Sequence, residues 1–221
     1  MTPDLVVVGA AGFGREALDV LAAVNREHAV WNLLGVVDDD PSAANLERLS
    51  RRRVRHLGGI PQALAELGAV HFVVAVGSPS VRQRIAVRCE AAGWRAGTLV
   101  HPSATFGALT DVGPGSVVCA GVAVSTSVTL GRHVHLNPNA TIGHDTACAD
   151  FVSVNPGAII SGDCRIGTRC LVGAGAVVLQ GLSVGPDTVV GAAACLTRDA
   201  PASVVVKGVP GRWAGRRAQG T

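Results

Sequence analysis

From Val100 onward an aliphatic, aromatic or thiol side chain returns at every sixth residue: Phe106, Val112, Val118, Val124, Leu130, Leu136, Ile142, Cys148, Val154, Ile160, Ile166, Val172, Val178, Val184, Val190 and Leu196. Two residues before most of these anchors stands a small or β-branched residue, such as Ala140, Thr146, Val152, Ala158, Cys164, Cys170, Ala176 or Thr188. Both columns therefore face one narrow interior. Glycine often follows the anchor (Gly107, Gly113, Gly131, Gly143, Gly167, Gly173, Gly185, Gly191), where the expectation is a corner that needs positive φ. The pattern predicts a hexapeptide-repeat parallel β-helix. Three hexads make one triangular coil, stacked about 4.8 Å above the last as in any β-ladder. Residues eighteen apart then become neighbours, and Leu136-Asn137-Pro138 repeats at that spacing as Val154-Asn155-Pro156. The seventeen hexads give nearly six coils. Periodicity carries no handedness, and parallel crossovers are usually right-handed.

Residues before about 99 keep a different rhythm. Leu5 to Val8 is a short apolar run ending in Gly9-Ala10-Ala11-Gly12-Phe13-Gly14, and Glu16 to Val24 follows with helical spacing. That is a strand, a glycine loop and a helix. A second strand, Leu33 to Val37, ends in Asp38-Asp39-Asp40 before Pro41 bars further pairing. A short strand around Val54, a helix from Pro61 to Leu67, a buried strand from Phe72 to Val76 and a helix from Ser80 to Ala92 complete the prediction. Alternating strands and helices argue a small parallel α/β unit of Rossmann-like type, half the size of a full dinucleotide-binding domain. The expected organisation is an α/β unit over 1–99, a β-helix over 100–200 and a C-terminal segment over 201–221.

Composition narrows the picture. The 221 residues suffice for two compact units, and the 3% aromatic content suits a thin prism. No stretch approaches eighteen uninterrupted apolar residues, and no charged n-region precedes an apolar run with a cleavage site. The expectation is a soluble, cytoplasmic protein without membrane contact. The six cysteines show no C-x-x-C spacing, and Cys148, Cys164 and Cys170 fall on inward columns, so reduced structural thiols are expected. A net charge of +3 gives nucleic-acid binding no support, and the run Arg51, Arg52, Arg53 and Arg55 reads as a solvated face.

Chemistry has two candidate places. Glycines at a strand-to-helix junction let amides approach an anion at the positive end of a helix, and Asp38 and Asp39 stand where ribose or base hydroxyls would be bonded. G-x-x-G-x-G is not the G-x-G-x-x-G dinucleotide pattern, however, and close helix-sheet packing explains the glycines equally well, as turn formation does the acids. On the prism, reactive groups must face outward. His144 occupies the first outward position after Ile142-Gly143, is followed by Asp145, and belongs to no ladder, its stacked neighbours being Thr126 and Gly162. An imidazole titrates near neutrality and can take a proton from an attacking amine or hydroxyl. Asn137 has a sufficient structural reason in a ladder with Asn155.

The stretch Leu136-Asn137-Pro138-Asn139-Ala140-Thr141-Ile142-Gly143-His144-Asp145, the N-terminal Val7-Val8-Gly9-Ala10-Ala11-Gly12-Phe13-Gly14-Arg15-Glu16 and the tail Lys207-Gly208-Val209-Pro210-Gly211-Arg212 carry a resemblance. They resemble the sugar acetyltransferases of the left-handed β-helix superfamily. The subgroup they are most similar to holds sialic-acid O-acetyltransferase-like proteins and N-acetyltransferases of nucleotide-linked 4-amino sugars. The resemblance implies a left-handed coil, acetyl-CoA as co-substrate, no resident metal and a homotrimer with acetyl-CoA lodged between prisms. It implies His144 as catalytic base, Asp145 as its acidic support and Asn137 as a further active-site residue. It places the nucleotide of the sugar substrate at Gly9, Gly12, Phe13, Gly14, Asp38 and Asp39. It places coenzyme A along Gly143, Ser153, Gly173 and Ala174, with Pro210 and Arg212 near its adenine end.

Two departures from the family pattern bear on the substrate: Phe13 stands where many relatives place a histidine in the glycine loop, and Ser153 where some carry a second histidine near the acetyl group. The implied reaction is acetylation of the primary amine of a nucleotide-linked sugar, with O-acetylation of sialic acid or another hydroxyl as its alternative. A prism-type zinc hydratase using His133, His135 and His144 and a non-catalytic nucleotide-binding scaffold are the readings from other classes.

Overall fold

The structure is a computed structural model that describes residues 2–215; the end of the expected 201–221 segment, residues 216–221, lies outside the described residues. The chain divides into two compact units, Met1–Pro102 and Ser103–Thr221. No described helix is long and apolar enough to cross a membrane.

In the first unit, strand β1 (Asp4–Val8) pairs in parallel with β2 (Asn32–Val37) on one side and β3 (His71–Val74) on the other, and β4 (Arg95–Ala96) extends the sheet beyond β3. The apolar run Leu5–Val8 is fully buried because helices cover the sheet, which is why it reads as a continuous block and not an alternation. Helix α1 (Gly12–Glu27) lays Ala17, Leu18, Val20, Leu21 and Ala23 inward. Helix α2 (Ala43–Arg51) is absent from the sequence prediction. It is short and buries only Leu49, yet it was legible: Leu46 and Leu49 stand at helical spacing on one side, and Ser42 Oγ accepts from Asn45 N at 3.2 Å, an N-cap directly after Pro41. The strand expected around Val54 is reduced to a single bridge between His56 and Val36, because Val54 N still closes onto Leu49 O at the end of α2. Helices α3 (Ile60–Glu66) and α4 (Pro79–Ala91) complete the unit.

The second unit is a parallel β-solenoid of about six turns. Its strands are two residues long and stack on three faces, and all but the last, Val205–Val206, end on an anchor. Thr141–Ile142, for example, pairs with Ala123–Val124 below and Ile159–Ile160 above, an offset of eighteen residues. From Val118 to Leu196 every anchor is buried. The first coil departs from expectation: Phe106 is 36% exposed and Val112 half-buried.

The corner glycines serve a different purpose from the one expected. Positive φ falls three residues after the anchor, at every sixth position from Leu109 (58°) through His133 (53°), Asn139 (60°), Asp145 (58°) and Asp163 (56°) to Ala193 (56°). The glycine directly after the anchor is not among the positive-φ residues. A Cβ there would meet the backbone of the next coil at under 3 Å, as at Gly167 against Pro186 N (2.6 Å) and Gly173 against Ala192 N (2.6 Å). At these corners close stacking of coils, not turn conformation, calls for glycine, whereas others, such as those of Asn137 and Asn155, take a side chain directly after the anchor.

Candidate active site

The corner after Ile142 is built by backbone. Gly143 lies against Ser161 and Gly162 of the next coil so closely that a Cβ would collide with both. Asp163 N donates to His144 O (2.7 Å) and Asp145 N donates to Thr126 O (3.1 Å), clamping the corner from both adjacent coils. His144 Nδ1 is then 2.7 Å from Asp145 Oδ2, with the two side chains 50% and 57% exposed. An imidazole bonded through one nitrogen to a carboxylate is fixed in orientation, and its other nitrogen, Nε2, is left to exchange a proton. Arg165, which the sequence gave no reason to single out, donates from Nη1 to Asp145 O (3.0 Å) and pairs with Asp163 Oδ1 (3.4 Å).

The remaining prism residues are distributed. Asn137 sits at the preceding corner, buried, with Nδ2 donating to Val154 O (2.9 Å) and to Asn155 Oδ1 (3.4 Å), so the asparagine ladder forms. Ser153 is a buried strand residue stacked between His135 and Leu171. His133 and His135 are buried, His133 lying parallel to Phe151 with ring centroids 5.1 Å apart, whereas His144 is exposed at a different corner. Among the described residues no three His, Cys, Asp or Glu side chains come together as a metal site. Gly173 is buried under Ala192, and Ala174 beside it is exposed. Pro210 and Arg212 lie on a hairpin closed by the Lys207–Arg212 bridge and tied to the last coil by Gly211 N donating to Cys195 O (2.7 Å).

In the first unit, the three loop glycines separate into two kinds. Gly9 takes φ 116° and presses against Ala75, and Gly14 has no room for a Cβ because the Gly9 carbonyl occupies it, so both are required by packing. Gly12 has open space where its Cβ would be. Asp38 Oδ2 accepts from Ala10 N (2.7 Å) and so holds the glycine loop to the end of β2. Asp39 Oδ1 accepts from Ile60 N (2.6 Å) at the start of α3. The first acid thus shapes the loop from within, and the second caps a helix. Phe13 is half-buried on the first turn of α1.

Residues 4–89 match the PglD N-terminal domain family. Over 148 residues the chain is 27% identical to the GDP-perosamine N-acetyltransferase of Escherichia coli O157:H7, a stretch that spans 66% of this chain and 65% of that relative, just under two thirds of the relative's length. Among solved structures it superposes on a histidine variant of perosamine N-acetyltransferase from Caulobacter crescentus, in complex with CoA and GDP-perosamine. The TM-score is 0.85, with 28% identity and coverage of 97% of this chain and 98% of that one. The chain is similar to these N-acetyltransferases in both sequence and fold. The acetyltransferase domain of PglB from Neisseria gonorrhoeae FA1090 is a further match, with a TM-score of 0.82, 29% identity and coverage of 96% and 100%. That domain was also solved in complex with acetyl coenzyme A. Similarity to this N-acetyltransferase group runs through both compact units, since the matched structures cover nearly all of the chain.

Proposed function

We propose that the protein transfers the acetyl group of acetyl-CoA to the primary amine of a nucleotide-linked amino sugar, with His144 as general base. The observation that carries this reading is the solvent-accessible His144–Asp145 pair on a solenoid that matches, over nearly its whole length, a perosamine N-acetyltransferase bound to CoA and GDP-perosamine. The neutral amine attacks the thioester carbonyl, forming the C–N bond. His144 Nε2 accepts the amine proton as the tetrahedral intermediate develops; the C–S bond then breaks and the departing coenzyme A thiolate takes up that proton. Asp145 keeps Nδ1 occupied so that Nε2 does the exchange.

The nucleotide is assigned to the glycine loop. Gly12, which packing does not demand, is where the ligand approaches the start of α1, and Asp38 holds the loop in shape. Asp39 and Phe13 border that loop, with Asp39 committed to Ile60. Coenzyme A is assigned to Gly143, Gly173, Ala174, Pro210 and Arg212. Asn137 is assigned to the same active site as His144 and Ser153 to the coenzyme A side, each from a buried position on the coil.

A homotrimer completes the proposal. The outward strand positions of the face that carries Thr141 are Thr105, Ala123, Thr141, Ile159, Val177 and Cys195, a column without a charge, and Ile159 is 43% exposed. A second prism covering this face would wall the corner at His144. Incubating the protein with acetyl-CoA and, in turn, GDP-perosamine, the free amino sugar and sialic acid, with free thiol as readout, tests the reading. Thiol release with the nucleotide-linked amine is expected; release with sialic acid alone would replace it with O-acetylation.

A further inference from the structure

The imidazole of His144 lies across the Cα of Gly162, the residue at the same corner one coil on. A Cβ on residue 162 would stand under 3 Å from Nε2, Cε1 and Cδ2 of the ring, closer than real carbon contacts permit. Gly162 is buried, although its corner position is one where solenoid residues are commonly exposed.

Nothing in the coil itself asks for glycine there. Gly162 does not have positive φ. The same place in the other hexads, two residues after the anchor, holds Pro102, Ala108, Pro114, Ala120, Thr126, Arg132, Pro138, His144, Asp150, Pro156, Thr168, Ala174, Gln180, Pro186, Ala192 and Arg198. Each of these carries a side chain, so the fold tolerates one. The place where it is missing is the one on which His144 rests.

We infer that Gly162 is a positioning residue, resting on the reading of His144 as base: its bare Cα is the seat that holds the ring with Nδ1 on Asp145 and Nε2 free for the proton. A methyl group at 162 pushes the ring off this seat, lengthening the Nδ1 contact with Asp145 and displacing Nε2 by about 1 Å, a shift that costs up to roughly a hundredfold in turnover.

The test is a double-mutant cycle of Gly162→Ala and His144→Ala, read by kcat and by thermal melting, with the imidazole 15N signals of His144 recorded in the single variant. Gly162→Ala is expected to lower kcat by about tenfold to a hundredfold, to redistribute the ring between its tautomers, and to have no further effect on the residual turnover of His144→Ala. Should Gly162→Ala fold poorly, the double variant recovers the melting temperature, because the group it collides with is gone. Losses that multiply across the cycle, unchanged ring signals, or a melting defect that persists without the imidazole would overturn the inference. Wild-type turnover in His144→Ala alone would instead sink the base reading and leave the seating geometry to be judged by melting and ring signals.

Discussion

His144 is held by its own sequence neighbour, Asp145, through a contact of 2.7 Å between Nδ1 and Oδ2. Adjacent residues of an extended chain point to opposite sides, and the pair meets because Asp145 takes φ 58° at the corner. Asp145→Gly removes the carboxylate at a position whose backbone suits glycine, so the fold should keep its melting temperature. Turnover should fall at least about tenfold, against about a hundredfold to ten-thousandfold for His144→Ala. Steady-state kinetics with the nucleotide-linked amine would show this as a loss in kcat with KM little changed; equal kcat in Asp145→Gly and wild type would remove the orienting role.

The glycine loop predicts opposite outcomes for two neighbouring substitutions. Gly14→Ala drives a methyl group into the Gly9 carbonyl and should destabilise the protein by about 1–3 kcal/mol. Gly12→Ala meets open space, should melt like wild type, and should raise KM for the nucleotide-linked substrate while leaving KM for acetyl-CoA alone. An unaltered KM for both substrates in Gly12→Ala would place the nucleotide elsewhere.

Corner conformation and coil contact are separable by mutation. Leu109 is 83% exposed at φ 58°, so its side chain gains nothing from burial and strains the backbone. Leu109→Gly or Leu109→Asn should raise stability by up to about 1 kcal/mol. Gly167→Ala, at a corner residue without positive φ but hard against Pro186, should lower it by about 1–3 kcal/mol. Urea unfolding midpoints distinguish these; stabilisation by Gly167→Ala would contradict the stacking account.

The inward thiols give the fold an alkaline limit. Burial pushes Cys89, Cys148 and Cys170 up to about 12 from an ordinary 9.0. A thiol that stays protonated in the folded chain but ionises when unfolded contributes stability that is complete below 9.0 and lost as pH rises toward 12. Unfolding midpoints should therefore drop between about pH 9 and pH 11, and a Cys148→Ala, Cys170→Ala variant should show a flatter decline. In native protein a thiol reagent should leave Cys89, Cys119, Cys148, Cys164 and Cys170 unreacted, since all five are buried.

Buried Arg82 is a further point of leverage. Its guanidinium donates to Val76 O (2.9 Å) and holds the segment leaving β3, against which Gly9 packs. Arg82→Leu removes that donor and should cost about 1–3 kcal/mol. A melting curve unchanged by the substitution would show that the segment needs no such brace.

Much of this was legible because the relevant physics is periodic or local. Side chains facing a thin lumen must recur with the coil, so the anchors from Val118 to Leu196 could be read directly, as could the stacked pair Asn137 and Asn155. Strand β1 and helix α1 announced themselves by a buried apolar block followed by glycines and helical spacing. Helix α2 was missed although Ser42 and the spacing of Leu46 and Leu49 marked it, because only two apolar side chains signal a nine-residue helix, and the bridge at His56 because one pair of hydrogen bonds leaves no trace in composition.

By itself the sequence determined the two-part architecture, the eighteen-residue repeat and number of turns of the solenoid, and the prominence of His144 with Asp145, since each follows from spacing along the chain. It did not determine why glycine follows the anchors, which acid shapes the glycine loop and which caps a helix, or that Gly162 lies beneath the imidazole. Those depend on atoms eighteen or more residues apart coming within contact distance. Such approaches are decided by the stacking of coils and the pairing of strands, and a linear pattern records that a residue is small without recording what it makes room for.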